Sequence, residues 1–468
     1  MRDPGIVVVG GGWAGLSCAT ALAERGHPVT LLEERRILGG RACSYTDALT
    51  GEEVDNGQHL FMSCFTEALR FLGRIGTSGG IRFQERLEIP LAEASGRRSS
   101  FRCPPLPRPF HLLGGVLGHR GLSAADRLRM VTGWRGMRGE IEAWGSSPER
   151  GGAGADSTVE AWLDAHGQTP GSRRGFWHPL AVAALNEEPS RASSRLFAAV
   201  LRQGLMGNPD GSRLGTSRVP LTRLVDPAVR RYLEKRGGRV IPGAGVVKIV
   251  VDGGEVRSVR LRDGSELPAS AVVSAVPRHV LSRILPDPVP VRDSFLSPSR
   301  DPGSSPILSV HLWLDRPILS TPFLGLLDSP IHWVFDTGGE SERGAARRRV
   351  VLVVSAARHL VERPAREILD IAIDELRRNL PAARAAHLVH SRIIKERRAT
   401  FSARAGVAGL RPGQGTPLPN LFLSGDWTDT GLPGTLEGAA LSGHRCAELL
   451  GTRSECAAGG GSASRETM

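Results

Sequence analysis

A chain of 468 residues exceeds the roughly 250–300 that one hydrophobic core usually serves, so two domains sharing an interface are expected. Its 40% hydrophobic and 23% charged residues exclude general disorder. The net charge of +12 is carried almost wholly by arginine, and with 5% aromatic residues and no basic run interleaved with them a nucleic-acid platform is excluded, which leaves an anionic lipid surface or plain solvation as its use.

Ile6 to Val9 is an all-apolar strand, and Gly10-Gly11-Gly12-Trp13-Ala14-Gly15 turns from it into a helix. The glycines at 10, 12 and 15 set bare amides at a helix start, which attracts a pyrophosphate; a side chain at Gly10 or Gly12 would block its approach. Val29 to Glu33 follows as a second strand, with Glu33 placed to meet a pair of ribose hydroxyls and Glu34 beside it. A site for a 2′-phosphorylated nucleotide would more often carry arginine there. Leu38-Gly39-Gly40-Arg41 adds a second close backbone approach and a guanidinium able to fork onto a phosphate oxygen, which points to FAD. The uncharged run Ile6 to Ala23 imitates a membrane span or an export signal. Its glycines and its strand-to-helix pattern argue instead for a nucleotide site, in the cytoplasm or at the inner face of the cytoplasmic membrane.

Cys103 to Leu117 is apolar, interrupted by proline and glycine, and followed by His119 and Arg120. It is shorter than the roughly 20 residues that span a bilayer. Two readings stand at even weight, a peripheral membrane contact and an ordinary loop over the substrate domain. Helices are expected over Ser123 to Glu142, opened by the capping box Ser123-x-x-Asp126, and over 157–165, 193–205, 226–236 and 364–380. Strands are expected over 239–241, 246–251, 255–261, 271–277, 307–314, 331–335 and 350–355. Asn420 to Ser424 reads as a buried strand ending in Gly425-Asp426, with a helix from Thr435 to Leu450. A carboxylate and helix-start amides there suit the ribityl and ring end of a flavin. Residues 145–156 and the tail after Gly451 read as linker and disorder. The six cysteines include no Cys-x-x-Cys pair and no histidine spacing for zinc, so free thiols in a reducing compartment and no metal are expected.

Arg41, Asp426 and Leu436-Glu437-Gly438-Ala439 match, in order, the pattern of the amine oxidase and phytoene desaturase superfamily of flavoproteins. Asp55-Asn-Gly-Gln-His59, Leu185-Asn-Glu-Glu-Pro189, Arg398-Ala-Thr-Phe401 and Gly425-Asp-Trp-Thr-Asp-Thr-Gly-Leu-Pro433 resemble, more narrowly, the hydroxysqualene dehydroxylases of bacterial hopanoid pathways. These stretches reach from the N-terminal region to about residue 450. The resemblance implies an α/β fold: a Rossmann-like FAD-binding domain of residues 1–90, 220–290 and 395–451, with an inserted α+β substrate domain of sheet plus helices. That insert takes 91–219 and 291–394 and leaves 452–468 as a disordered tail. It also implies FAD contacts at residues 10–15, Glu33, Glu34, Gly39, Gly40, Arg41, Gly57, Gln58, His59, Gly425, Asp426 and Leu436, with the backbone of Val246 offered to the adenine.

The implied reaction is reduction of hydroxysqualene to squalene, in which the hydroxyl leaves as water and reduced flavin delivers hydride. His59 and Asp429 are the candidate acids, unranked, each with a loop hydrogen bond as its alternative role. Expected partners are an isoprenoid lipid, an unidentified electron donor and synthases of the squalene pathway. Two rival readings are a desaturase that oxidises phytoene or dehydrosqualene, and a non-catalytic flavin-bound protein that presents lipid to a synthase.

Overall fold

The computed structural model describes residues 4–107, 110–146, 156–206, 212–285, 293–338 and 348–459; most of the linker expected at 145–156 lies outside them. Five parallel strands form the nucleotide-binding sheet, in the order Arg239–Pro242, Val29–Glu33, Ile6–Val9, Ala271–Ser274, Leu421–Leu423. Ile6–Val9 and Ala271–Ser274 are buried at every residue, as continuous apolar runs in a parallel sheet covered on both faces must be. Val8, Leu31, Val273 and Phe422 pack on one face against helices Trp13–Glu24, Leu221–Glu234 and Leu436–Gly459. Val7, Val9, Leu32 and Val272 pack on the other, against Ile249, Val256 and Val259 of the antiparallel sheet Val246–Asp252, Glu255–Leu261, Glu266–Pro268.

Two helices depart from the sequence expectation. The helix expected from Asp226 begins at Leu221 and carries Pro227 inside it. Its first amides are satisfied from afar: Leu221 donates to the Asp55 carboxylate at 3.0 Å and Thr222 to the Ser44 hydroxyl at 3.1 Å, and local patterning cannot show a cap that arrives from another part of the chain. The closing helix runs past position 451, where a disordered tail is expected, to Gly459; residues 460–468 lie outside the described residues. The capping box at Ser123 forms as expected, with the Ser123 hydroxyl accepting from the Asp126 amide at 3.1 Å and the Asp126 carboxylate accepting from the Ser123 amide at 3.1 Å.

The second sheet has seven strands in the order Leu388–Phe401, Ser304–Leu314, Arg348–Val354, Trp333–Asp336, Phe323–Leu327, Glu88–Glu93, Arg98–Arg102. Along Ser304–Leu314 the side chains alternate. Leu308, Val310 and Leu312 pack with Ile368, Ala372 and Leu376 of helix Ala365–Asn379, while Ser309 lies against Gly57 and Trp313 donates to Glu52 at 2.9 Å. A helical layer, including Ala124–Ser146, His178–Leu185 and Ser194–Leu201, joins the same body of core as Val7, Val9 and Leu32 of the nucleotide-binding sheet. The second half of the segment 103–117 forms most of the short helix Phe110–Gly118. Its Gly115 sits where an added Cβ would stand 2.9 Å from the Phe101 ring, so the glycines that interrupt the pattern serve close packing. Among the described residues no helix is long and apolar enough to cross a membrane, no group of three acidic, histidine or cysteine side chains is set to hold a metal, and no disulfide is present.

Candidate functional site

The glycine loop divides its labour. Gly10 has φ 109°, and a Cβ there would stand 2.9 Å from the Ala275 carbonyl oxygen. A Cβ on Gly15 would overlap the carbonyl oxygen of Gly10, so this glycine lets helix and strand approach. Gly12 differs: a Cβ there would find only the Cα of Gly40, at 3.9 Å. Gly40 has φ 63°, and its own Cβ would stand 2.9 Å from the Gly12 Cα. The two glycines thus leave a cradle between two backbones that a side chain would fill. The first turn of helix Trp13–Glu24 has no acidic residue and no side-chain cap, so its amides are available to an anion. These residues fit a pyrophosphate. Ala14 is buried, and the Trp13 ring turns into the core, 5.4 Å from Phe71 and 5.9 Å from Phe61, so Trp13 brings its backbone to the site.

Glu33 is 9% exposed and braces the loop it was expected to accompany. One carboxylate oxygen accepts from the Gly11 amide at 2.6 Å and the other from the Arg35 amide at 2.8 Å. Glu34 is exposed and pairs with Arg262. Val246 opens its strand next to this corner, where the Ala244 amide donates to the Glu33 carbonyl at 2.9 Å.

Arg41 joins the two ends of the chain. Its Nη2 meets Asp426 at 2.5 Å, and its Nη1 donates to the Ala399 carbonyl at 2.5 Å. Asp426 is buried, behind Gly425, where an added Cβ would stand 2.7 Å from the Trp427 ring. Leu436 starts the closing helix on the same C-terminal segment. Asn56 donates from its side chain to the Arg41 carbonyl at 3.2 Å, and the Asn56 amide donates to the Cys43 carbonyl at 2.8 Å. The segment Gly57, Gln58, His59 is therefore carried directly from the Arg41 loop, and all three are half-buried.

His59 Nδ1 lies 2.8 Å from the Gly57 carbonyl, and burial lowers its pKa, opposed by Asp55 and by that carbonyl. Asp429 stands in a different setting. It is exposed, and its carboxylate accepts from the Gly431 amide at 3.2 Å within a turn.

Arg411 lies outside every motif of the sequence, and the motifs that hold Glu437, Asn186 and Glu187 do not tell what those side chains do. Arg411, 4% exposed, donates to the Asp426 and Leu432 carbonyls at 3.0 and 2.9 Å and lies over the Phe401 ring, its pKa pushed down to about 10 by burial. It moulds the loop that carries Asp426, yet nothing local marks one arginine among many. Glu437 is 2% exposed and caps helix Thr66–Arg74 from afar, accepting from the Ala68 amide at 2.9 Å and the Glu67 amide at 3.1 Å. Asn186, with φ 50°, receives the Ala356 amide at 2.7 Å, and fully buried Glu187 receives Arg358 at 2.6 and 2.7 Å. The motif Leu185-Asn-Glu-Glu-Pro189 was the available signal for this pair; its work is to tie the helical layer to the large sheet.

The chain is similar to known proteins along nearly its whole length. The sequence model of flavin containing amine oxidoreductases matches residues 13–450. A hydroxysqualene dehydroxylase of Sinorhizobium fredii is 29% identical over 445 residues, 94% of this chain and 97% of that one. Another, of Rhodopseudomonas palustris, is 30% identical over 460 residues, 95% of this chain and 97% of that one. An oxidoreductase structure from Methanosarcina mazei superposes with a TM-score of 0.72 at 16% identity, covering 95% of this chain and 99% of that one.

Proposed function

The chain belongs to the flavin containing amine oxidoreductase family and is an FAD-dependent oxidoreductase, and from that premise we propose that it reduces hydroxysqualene to squalene. Its likeness to hydroxysqualene dehydroxylases over nearly the full length of both chains supports this reading. The observation that carries it is the apolar packing beside His59: Leu60 packs against a buried cluster of Phe323, Phe335, Val351 and Val353 on the large sheet. A hydrocarbon suits such a wall, and water does not. Bound reduced FAD supplies the hydride. The protein holds the carbon that bears the hydroxyl against that wall, keeps solvent out, and gives the departing hydroxyl a proton, a role we propose for His59.

The lipid reaches the site from a membrane surface in this reading. Leu106, Phe110, Leu117 and Leu128 are 47%, 54%, 51% and 63% exposed on the segment and helices around Phe110–Gly118. Arg120, Arg127 and Arg129 stand beside them, and the Arg127 side chain is tied to the Leu117 carbonyl at 2.6 Å. Apolar anchors with basic neighbours suit an anionic interface.

The test is anaerobic incubation of the photoreduced holoenzyme with hydroxysqualene, followed by product analysis. Squalene in amounts matching the reoxidised flavin is expected. Flavin that stays reduced rejects the reaction. Oxidation of phytoene by the oxidised enzyme with an added acceptor would assign the reverse direction.

A further inference from the structure

A cavity of about 290 Å3 lies where strands Glu88–Glu93, Phe323–Leu327 and Trp333–Asp336, through Leu91, Leu326 and Trp333, meet helix His178–Leu185, through Pro179 and Val182. Most of its polar groups are already engaged, although His178 Nε2, close to Glu160, makes no hydrogen bond there. Arg174 and Asp328 pair at 2.9 Å, His178 lies 2.8 Å from Glu160, the Ser329 hydroxyl donates to Glu375 at 2.7 Å, and His332 Nδ1 accepts from the Ser355 amide at 3.2 Å. Burial lowers the pKa of His332 to about 4, so it is uncharged at neutral pH. A charged ligand would find no free counter-charge here and would be desolvated without compensation. The remaining surface suits an apolar one.

Two further observations place the cavity. Trp333 lines it and, like Leu60, the residue after His59, packs against the buried cluster of Phe323, Phe335, Val351 and Val353, so one apolar cluster adjoins both the space and the reactive segment. Arg174 and Asp328 are the solvent-facing members, their side chains 52% and 48% exposed, and Asp328 sits at φ 55° in the turn after Phe323–Leu327. Ligand sites for whole small molecules usually run to roughly 300–1,000 Å3, so this volume takes part of a long ligand.

We infer that this cavity receives one uncharged, branched hydrocarbon end of the substrate, with the Arg174–Asp328 pair as a latch across its mouth. The assignment rests on the isoprenoid reading above. An exposed pair of this kind is weak and opens readily, which suits passage of a hydrocarbon.

The test uses FAD-loaded enzyme and radiolabelled squalene, delivered from cyclodextrin and measured by equilibrium dialysis. Val182→Trp is expected to weaken squalene binding at least tenfold with an unchanged flavin spectrum. Should that variant fail to fold, Leu326→Ala, which removes lining contact, is expected to weaken binding at least threefold. Asp328→Asn is expected to speed squalene release severalfold. Farnesyl diphosphate, a charged competitor, is expected not to displace squalene, and displacement would overturn the uncharged occupant. Wild-type binding in folded Val182→Trp and Leu326→Ala overturns the cavity while leaving the reaction untouched. Squalene binding that these variants weaken, in an enzyme that never turns over hydroxysqualene, overturns the reaction and keeps the cavity.

Discussion

Arg41 Nη2 lies 2.5 Å from the carboxylate of Asp426, a contact between residues 385 positions apart. The acid side chain is 7% exposed and the arginine 39%. Burial works against the Arg41 charge, and Asp426, seconded by Glu396, outweighs it, so the guanidinium pKa is raised. Removing Arg41 strands a buried carboxylate. Breaking a fully buried pair costs about 3–5 kcal/mol, and half-exposed Arg41 brings the expected loss nearer to ~2 kcal/mol. Arg41→Ala should therefore denature at lower urea and purify with little flavin, read from the absorbance ratio. Wild-type flavin content together with wild-type stability would show that this contact holds neither the fold nor the cofactor.

The glycines allow a sharper separation of fold from binding. Gly15→Ala collides with backbone at Gly10 and with the Ala275 side chain at 3.0 Å, which should cost roughly 1–3 kcal/mol as overpacking does. Gly12→Ala has its nearest neighbour at 3.9 Å. It should melt like wild type and yet fill the space a pyrophosphate needs, lowering FAD affinity at least tenfold by fluorescence titration. Equal FAD affinity for Gly12→Ala and wild type would move the phosphate elsewhere.

The first βαβ unit was readable because local and global demands coincide there: Ile6–Val9 is buried on both faces, and Gly10 and Gly15 are needed by the backbone whatever binds. Strand Leu388–Phe401 was not readable. It is an edge of the seven-stranded sheet, pairing along its length with Ser304–Leu314, and it carries His390, Arg392, Lys395, Glu396 and Arg397. Charge on an edge strand guards against further pairing and erases the apolar alternation by which strands are recognised. Residues of the site split in the same way. Arg41, Asp426 and Glu437 stand in motifs and Arg411 in none, yet Arg411 and Glu437 both act on backbone that only the fold brings to them, so their roles exist only in three dimensions.

His59 sets a pH dependence. A carbonyl can only accept, so the 2.8 Å contact with Gly57 places the proton of neutral His59 on Nδ1. Donation from Nε2 then requires the imidazolium form, and burial lowers the pKa below the ordinary 6.5. The protonated fraction grows as pH falls, so turnover should climb on going below pH 6.5. His59→Gln should keep its flavin and lose roughly 10²–10⁴-fold in rate, the usual worth of a general acid. A wild-type rate that is flat from neutral pH into the acid range removes His59 from this role.

His311 offers a pH test of stability. It is 2% exposed, neither ring nitrogen has a hydrogen-bond partner among the described residues, and burial, with Arg349 and Arg392, lowers its pKa from 6.5 to about 3. The folded state holds it neutral while the unfolded chain binds a proton below pH 6.5. Its contribution is thus intact above that pH and is lost progressively as pH falls towards about 3. Each pKa unit is worth about 1.4 kcal/mol, so roughly 2 kcal/mol should disappear between pH 6.5 and about pH 4.5. Urea midpoints at the two pH values give the difference, which His311→Gln should reduce. The same acid loss in both proteins would assign the sensitivity to other groups.

Phe110 and its neighbours make the membrane reading testable. Phe110 and Leu117 are more than half exposed on a helix whose Gly115 packs against Phe101, so apolar side chains face outward while the backbone is held. Exposed Phe and Leu each contribute about 1.5–3 kcal/mol when taken fully out of water. Replacing Phe110 and Leu117 by serine should therefore lower co-flotation with anionic vesicles at least tenfold, with flavin content intact. Salt should weaken the wild-type association, because the neighbouring arginines contribute through a screened field. Vesicle binding by the double variant equal to that of wild type would return this helix to an ordinary surface element.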